Sequence, residues 1–208
     1  DVNMDNYITF EVEQNTNSVS LDFFAEDGVN IKVVSANETS FTLNSGWLGY
    51  QTIVVDTTTN SVTIYGDVLG LACSSNNITN LDLSHNNLLK TLSCINNKLN
   101  ELDLSNNKNI NEVYCDENQL TNLILSNNNS LEYLNCDKNK LTQLNLSNIK
   151  SLKELRCNEN LLEQLDFSHN LSIEFISCAM NKITMIDVTK NESLIKLYCY
   201  ENKLSSID

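Results

Sequence analysis

The stretch Leu92-Ser93-Cys94-Ile95-Asn96-Asn97-Lys98-Leu99-Asn100-Glu101-Leu102-Asp103-Leu104-Ser105-Asn106-Asn107 decides the fold, because the chain writes variants of it over and over. Its cysteine recurs as Cys73, Cys94, Cys115, Cys136, Cys157, Cys178 and Cys199, with every gap 21 residues long. A fixed period of this size marks a solenoid, in which one repeat is one coil that cannot bury its apolar side alone and must stack on its neighbours.

Aligned on the cysteines, the apolar positions fall into columns. Leu89, Ile110 and Leu131 stand five residues before; Leu92, Val113 and Leu134 stand two before; Leu99, Leu120 and Leu141 stand five after. Leu102, Leu123 and Leu144, then Leu104, Leu125 and Leu146, fill two columns in the second half. Like residues stacked at the inter-strand spacing of about 4.8 Å form a dry ladder, and burying each such side chain is worth roughly 1.5–3 kcal/mol. Three residues past each cysteine stands Asn76, Asn97, Asn118, Asn139, Asn160, Asn181 or Asn202, without exception. An amide carries both donors and acceptors, so this column is expected to bond the turn backbone and the coils above and below. The second half has its own column in Asn86, Asn107, Asn128, Asn170 and Asn191, broken once by Ile149.

The run Leu-x-x-Leu-x-Cys-x-x-Asn-x-Leu followed by a leucine-rich second half resembles the bacterial leucine-rich repeats, specifically the 21-residue cysteine-bearing, internalin J-like type also found in Bacteroidetes surface proteins. The resemblance covers roughly residues 67–208. It implies a mainly β fold, a solenoid of parallel strands forming a concave sheet; the Leu-Asp-Leu-Ser half has strand alternation of its own and is expected to give a second, shorter row of strands or extended segments opposite. It also implies a bacterial cell-surface or secreted, extracellular location, with any export signal or anchor outside this chain.

Residues 1–66 carry no 21-residue period. They alternate apolar and polar residues at Ile8, Phe10, Val12, at Val19, Leu21, Phe23, at Phe41, Leu43, and at Ile53, Val55, Val62, Ile64. This reads as a small antiparallel β domain, a meander or a sandwich, joined directly to the repeats at Gly66-Asp67 and serving as their cap. Internalins begin instead with a helical cap, which weakens transfer of their host-cell role. The repeats at 67–208 make about seven coils, the last one partial, so self-association through an open carboxyl-terminal coil is also expected.

A net charge of −14 argues against nucleic-acid binding and against attraction to anionic membranes. No stretch is apolar for the roughly 18 residues that span a bilayer. The cysteines are expected to be reduced and buried, since they sit in an inward column and no Cys-x-x-Cys pair suggests zinc. Asp82, Ser84 and His85 recur as Asp166, Ser168 and His169. These are repeat columns rather than a triad, because adjacent residues on an extended strand point apart. Asp166, Asp187 and Asp208 stack on consecutive coils, as do Asp82 and Asp103; hydrogen bonds to backbone and to neighbouring Ser or Thr are favoured over calcium. No cofactor, metal site or catalytic residue is implied.

The variable positions carry the functional reading. Residues three and one before the cysteine, and one and two after, are expected to face solvent on the concave side. Early coils offer Thr91, Ser93, Ile95 and Asn96, whereas later coils offer Glu112, Tyr114, Asp116 and Glu117, then Tyr133 and Asp137, Phe175 and Met180, and finally Tyr198 and Tyr200. Aromatics interleaved with acids suit recognition of a protein or glycan. The expected function is therefore non-catalytic binding or adhesion; the alternative is a structural spacer of a larger surface protein.

Overall fold

The computed structural model describes residues 1–207; Asp208, the last member of the aspartate column, lies outside the described residues. The alternating segments of the first part become strands β1 (Tyr7–Val12), β2 (Ser18–Ala25), β3 (Asn30–Val34), β4 (Glu38–Thr42), β5 (Gly46–Trp47), β6 (Gln51–Val54) and β7 (Ser61–Tyr65). Their inward side chains, among them Ile8, Phe10, Leu21, Phe23, Val33 and Ile64, are buried. β1 pairs with β7, β7 with β3 and β3 with β4, while β2 pairs with β5 and β6, all antiparallel. Of these pairs only β3 and β4 are consecutive in the chain. The arrangement is thus two sheets over a shared core, and the meander alternative does not form.

In the repeats, the residues just before each cysteine form β8 (Gly70–Ala72), β10 (Thr91–Ser93), β12 (Glu112–Tyr114), β14 (Tyr133–Asn135), β15 (Glu154–Arg156), β16 (Phe175–Ser177) and β18 (Lys196–Tyr198). They pair parallel and in register, so Leu71, Leu92, Val113, Leu134, Leu155, Ile176 and Leu197 line up across one sheet. The second half of the coil supplies β9 (Ile78–Asp82), β11 (Glu101–Asp103), β13 (Asn122–Ile124), β17 (Met185–Ile186) and β19 (Ser206–Ile207). Here pairing is intermittent: β11 joins β13 and β17 joins β19, whereas residues 143–145 and 164–166 form no ladder. A row that stays hydrogen-bonded keeps coils about 4.8 Å apart. The row that does not is free to spread, and the continuous sheet corresponds to the side expected to be concave, here called the inner sheet.

Both sheets of the amino-terminal part run on into the solenoid. β2 pairs antiparallel with β8, setting Phe23 opposite Leu71, and β1 pairs antiparallel with β9, setting Phe10 opposite Leu81. A single apolar core extends from Ile8 to Ile186. Between them, Gly66 turns the chain at φ +126°, and a β-carbon there would fall 2.7 Å from the Asn30 carbonyl oxygen. The two ladders of hydrogen bonds therefore cross the Gly66-Asp67 junction, and β1 and β2 take the places of the two halves of a preceding coil.

The first asparagine column closes every coil. Asn118 Nδ2 shares its protons among the carbonyls of Cys94 (3.0 Å), Cys115 (3.2 Å) and Asp116 (3.3 Å), while its Oδ1 accepts the Leu99 N–H (3.1 Å). Asn97, Asn139, Asn160 and Asn181 repeat the set. At the start of the ladder Asn76 finds no coil before it and uses β2 instead, donating to the Ser20 carbonyl (2.8 Å) and accepting its N–H (2.7 Å). Left-handed backbone falls one residue earlier than the column, at Ser75, Asn96, Glu117, Lys138, Glu159, Met180 and Glu201, with φ from 52° to 58°. Residues without a glycine's freedom disfavour that region, so the asparagine bonds hold the turn.

Six of the seven cysteines are buried and unpaired, as expected; Cys199 is only partly buried, since no described coil covers it. Burial pushes the Cys73 and Cys178 thiols up to about 12, and the other buried thiols rise for the same reason. Asn118→Ala removes one of two donors from each of three carbonyls and the partner of the Leu99 N–H, and should cost about 2–4 kcal/mol of stability, measured by denaturant unfolding, whereas exposed Asn96→Ala should cost under about 1 kcal/mol. Because thiolate is the reactive form, a thiol reagent at about pH 8 should label Cys199 first and Cys73 to Cys178 only after denaturation; rapid native labelling of the six would overturn the inward ladder.

Candidate functional site

Outward positions of the inner sheet bring most of the singled-out residues together. Glu112 and Tyr114 lie on β12, Tyr133 on β14, Glu154 and Arg156 on β15, and Phe175 on β16, all half-buried by their neighbours. Tyr114 packs on Tyr133 with ring centroids 4.7 Å apart. The Arg156 guanidinium lies 4.7 Å from the centroid of the Phe175 ring and bonds Glu154 at 2.8 Å, and Phe175 in turn meets Tyr198 at 5.6 Å. A broken aromatic stripe thus crosses coils that the sequence shows only as separate columns. Tyr198 and Tyr200 are more exposed, and Glu117 and Met180 stand on the left-handed turns at the edge of the sheet rather than on it.

Arg156, Glu154 and Asn158 were not singled out, although they occupy the same columns. Their coil contributes no aromatic residue to the stripe and reads as polar filler. The column four residues before the cysteine was missed altogether. It supplies Asn111, Glu132, Lys153 and Glu174, which with Glu112, Tyr133, Glu154 and Phe175 line a cleft of about 300 Å³. Within it, Lys153 pairs with Glu132 at 2.7 Å.

One residue past each cysteine, a side chain bonds the next coil where it can. Asp137 accepts the Asn158 N–H (2.5 Å), and Asn158 accepts the Ala179 N–H (2.8 Å). Asp116 breaks the series, because the Asp137 N–H turns to Asn135 Oδ1 at 3.1 Å. Asp116 Oδ1 is left shielded and without a partner. Burial raises the Asp116 carboxyl above the ordinary aspartate range, and burial raises Asp137 as well despite its bonds from Asn158. Burial, with Glu112 beside it, pushes the Tyr114 hydroxyl up to about 12.

The second row holds the remaining candidates. Asp82, Asp103, Asp166 and Asp187 each accept the N–H two residues on, at 2.8–2.9 Å, closing local turns. Asn145 makes the same turn with Ser147. Hydrogen bonds from Ser168 and Thr189 hold Asp166 and Asp187 below the usual carboxylate range. Ser168 Oγ lies 3.1 Å from His169 Nδ1, yet Asp166 is spent on the Ser168 backbone and does not orient the imidazole. His85 stacks on Tyr7 at 4.3 Å instead. Where the row opens, a groove of about 820 Å³ runs between coils, lined by Gln143, Asn145, Gln164, Asp166, Thr184 and Asp187 among others.

No family model matches the chain, and no curated protein matches it. Among solved structures it is similar to the functional domain of InlJ from Listeria monocytogenes, described as including a cysteine ladder: 35% identity and a TM-score of 0.66. The match covers 67% of this chain but 32% of that one, so the chain spans about a third of the length of the protein it matches.

The orphaned carboxylate yields a prediction with a sign. An acid whose folded pKa is raised loses stability as pH rises through that pKa and is neutral in both states well below the unfolded value. Asp116→Asn should therefore raise the melting temperature at neutral pH, by up to about 1 kcal/mol or roughly 2–4 °C. The gain should vanish as pH falls through the ordinary aspartate range. Calorimetry across pH tests this, and a loss of stability at neutral pH would contradict it.

Proposed function

We propose that this chain, whose cysteine-bearing leucine-rich repeats form a β-solenoid similar to the functional domain of InlJ, is a non-catalytic recognition module whose inner sheet binds a protein or glycan. The observation that carries this reading is the aromatic stripe Tyr114–Tyr133 and Phe175–Tyr198 laid across separate coils of one sheet. Buried rings serve packing, but these lie on the outward columns. Half-exposed rings of this kind bury large areas on contact at low entropic cost, and their hydroxyls satisfy polar groups of a partner.

A fold of stacked coils is a scaffold, and function resides in the side chains it displays. The spacer alternative predicts no ligand at all. By location this reading places the chain at the bacterial surface or outside the cell.

The test begins with a pull-down and glycan-array screen using the intact chain. Tyr114→Ala, Tyr133→Ala and Tyr198→Ala should each weaken the ligand found by about 1 kcal/mol or more, roughly five-fold in Kd, provided circular dichroism shows them folded. Gln143→Ala and Gln164→Ala on the outer row should leave binding unchanged. The reverse pattern would move the site to the outer groove, and absence of any ligand would favour the spacer.

A further inference from the structure

The inner sheet is not merely acidic; its charges are unevenly settled. Across the coils of Cys115, Cys136, Cys157 and Cys178, the columns from four before to two after each cysteine hold Glu112, Asp116, Glu117, Glu132, Asp137, Glu154, Glu159 and Glu174 against Lys138, Lys153 and Arg156. All three cations are already engaged, with Glu117, Glu132 and Glu154 respectively. Glu112, Asp116, Asp137, Glu159 and Glu174 have no ion-pair partner among the described residues. Two of these five, Glu112 and Glu174, line the cleft beside the Tyr133 and Phe175 rings, and a third, Asp116, has a shielded oxygen with no donor.

The chain also displays the contact it would offer. Arg156 sits between the Glu154 carboxylate and the Phe175 ring, a guanidinium held by charge on one side and by a ring face on the other. The pattern recurs two coils earlier with a tyrosine in the arginine's place: Glu112 stands where Glu154 does, Tyr133 where Phe175 does, and Tyr114 replaces the arginine, so that Glu112 keeps no cation of its own while Arg156 lies beside the Tyr133 hydroxyl from the next coil. A carboxylate beside an aromatic ring, both partly desolvated, attracts an organic cation by Coulomb and cation–π terms together. A hard metal ion would need convergent oxygen ligands. These carboxylates are instead strung along the sheet, and the described residues contain no cluster of three or more metal-binding side chains.

We propose that the cleft over Tyr133 and Glu112 receives a lysine or arginine side chain of a partner protein, with Asp116, four residues along the chain from Glu112 and outside the cleft lining, adding to the field that attracts it. This rests on the inner-sheet reading and narrows it from protein or glycan to a protein presenting a basic group. The Asp116 carboxylate then adds negative potential along the approach to the cleft, at a cost to stability.

The probe is a disordered Gly/Ser peptide bearing several arginines, titrated into the full chain and followed by NMR, with a glutamate-bearing counterpart, spermine and a neutral chito-oligosaccharide alongside. The arginine peptide should shift resonances around Glu112, Tyr114, Asp116 and Tyr133. It should bind roughly ten-fold more weakly to the Glu112→Gln/Asp116→Asn variant, with weaker binding at higher salt. A Glu101→Gln/Glu192→Gln variant, which removes two charges from exposed positions off the inner sheet, should match the parent. Shifts scattered over the whole acidic surface, or equal weakening by both variants, would overturn the proposal. So would spermine binding the same residues as tightly as the peptide, which would show recognition of charge without a protein side chain. If the oligosaccharide alone binds at the tyrosines, the inner-sheet reading stands and this inference falls; if nothing binds there, both fall.

Discussion

A buried asparagine amide governs this molecule. Every coil must reverse direction just after its cysteine, and the reversal leaves carbonyls pointing into a turn that water does not reach. Leaving such groups unpaired costs on the order of 1–3 kcal/mol each. The Asn76-to-Asn202 column answers all of them with one side chain per coil, and each amide also takes an N–H from the coil before. The bonds thus serve two purposes: they close a turn in left-handed backbone and they set the stacking register. Five residue types, serine, asparagine, glutamate, lysine and methionine, occupy that left-handed position over the seven coils, because the amide beside it carries the geometry.

A ladder of this kind needs a first rung. The amino-terminal sheets supply one by presenting β2 to Asn76 and β8, and β1 to β9, in the antiparallel sense. The strand direction differs from that of a coil, yet the spacing of donors and acceptors suffices for one rung. Asp67 adds a local anchor by accepting from both Asn3 and Asn6. Gly70 completes the fit, since a β-carbon there would press to 2.8 Å from Phe24. The apolar core consequently has no seam at the junction.

The two faces of the solenoid divide the work. The inner sheet is paired throughout, so its outward side chains are held at fixed spacings, a requirement for a rigid binding surface. The outer row spends its aspartates on its own turns and opens where Asn145 and Ile149 depart from the usual residues. On the inner sheet the departures have a different character. Tyrosines are stacked, an arginine is sandwiched between acid and ring, and Asp116 is left without a donor. Features that cost stability while repeating in no column are the ones to associate with recognition rather than with folding.

The period of 21, the apolar columns and the invariant asparagine determined the solenoid from sequence alone, because each coil meets the same neighbours and must solve the same burial problem with the same residues. The alternation in residues 1–66 likewise announced strands, and the outward columns named Tyr114, Tyr133, Asp116 and Phe175. What only the tertiary structure decided lies between coils. That β1 and β2 stand in for a coil depends on pairings between residues 46 to 73 positions apart in the chain. The left-handed residue was invisible because its identity varies. Arg156 gained its place only when Phe175 of the next coil came beneath it, and Asp116 lost its partner only because Asn135 reached the Asp137 N–H first. Repetition makes the scaffold legible one coil at a time; the site arises from contacts between unlike residues on adjacent coils, which no single repeat contains.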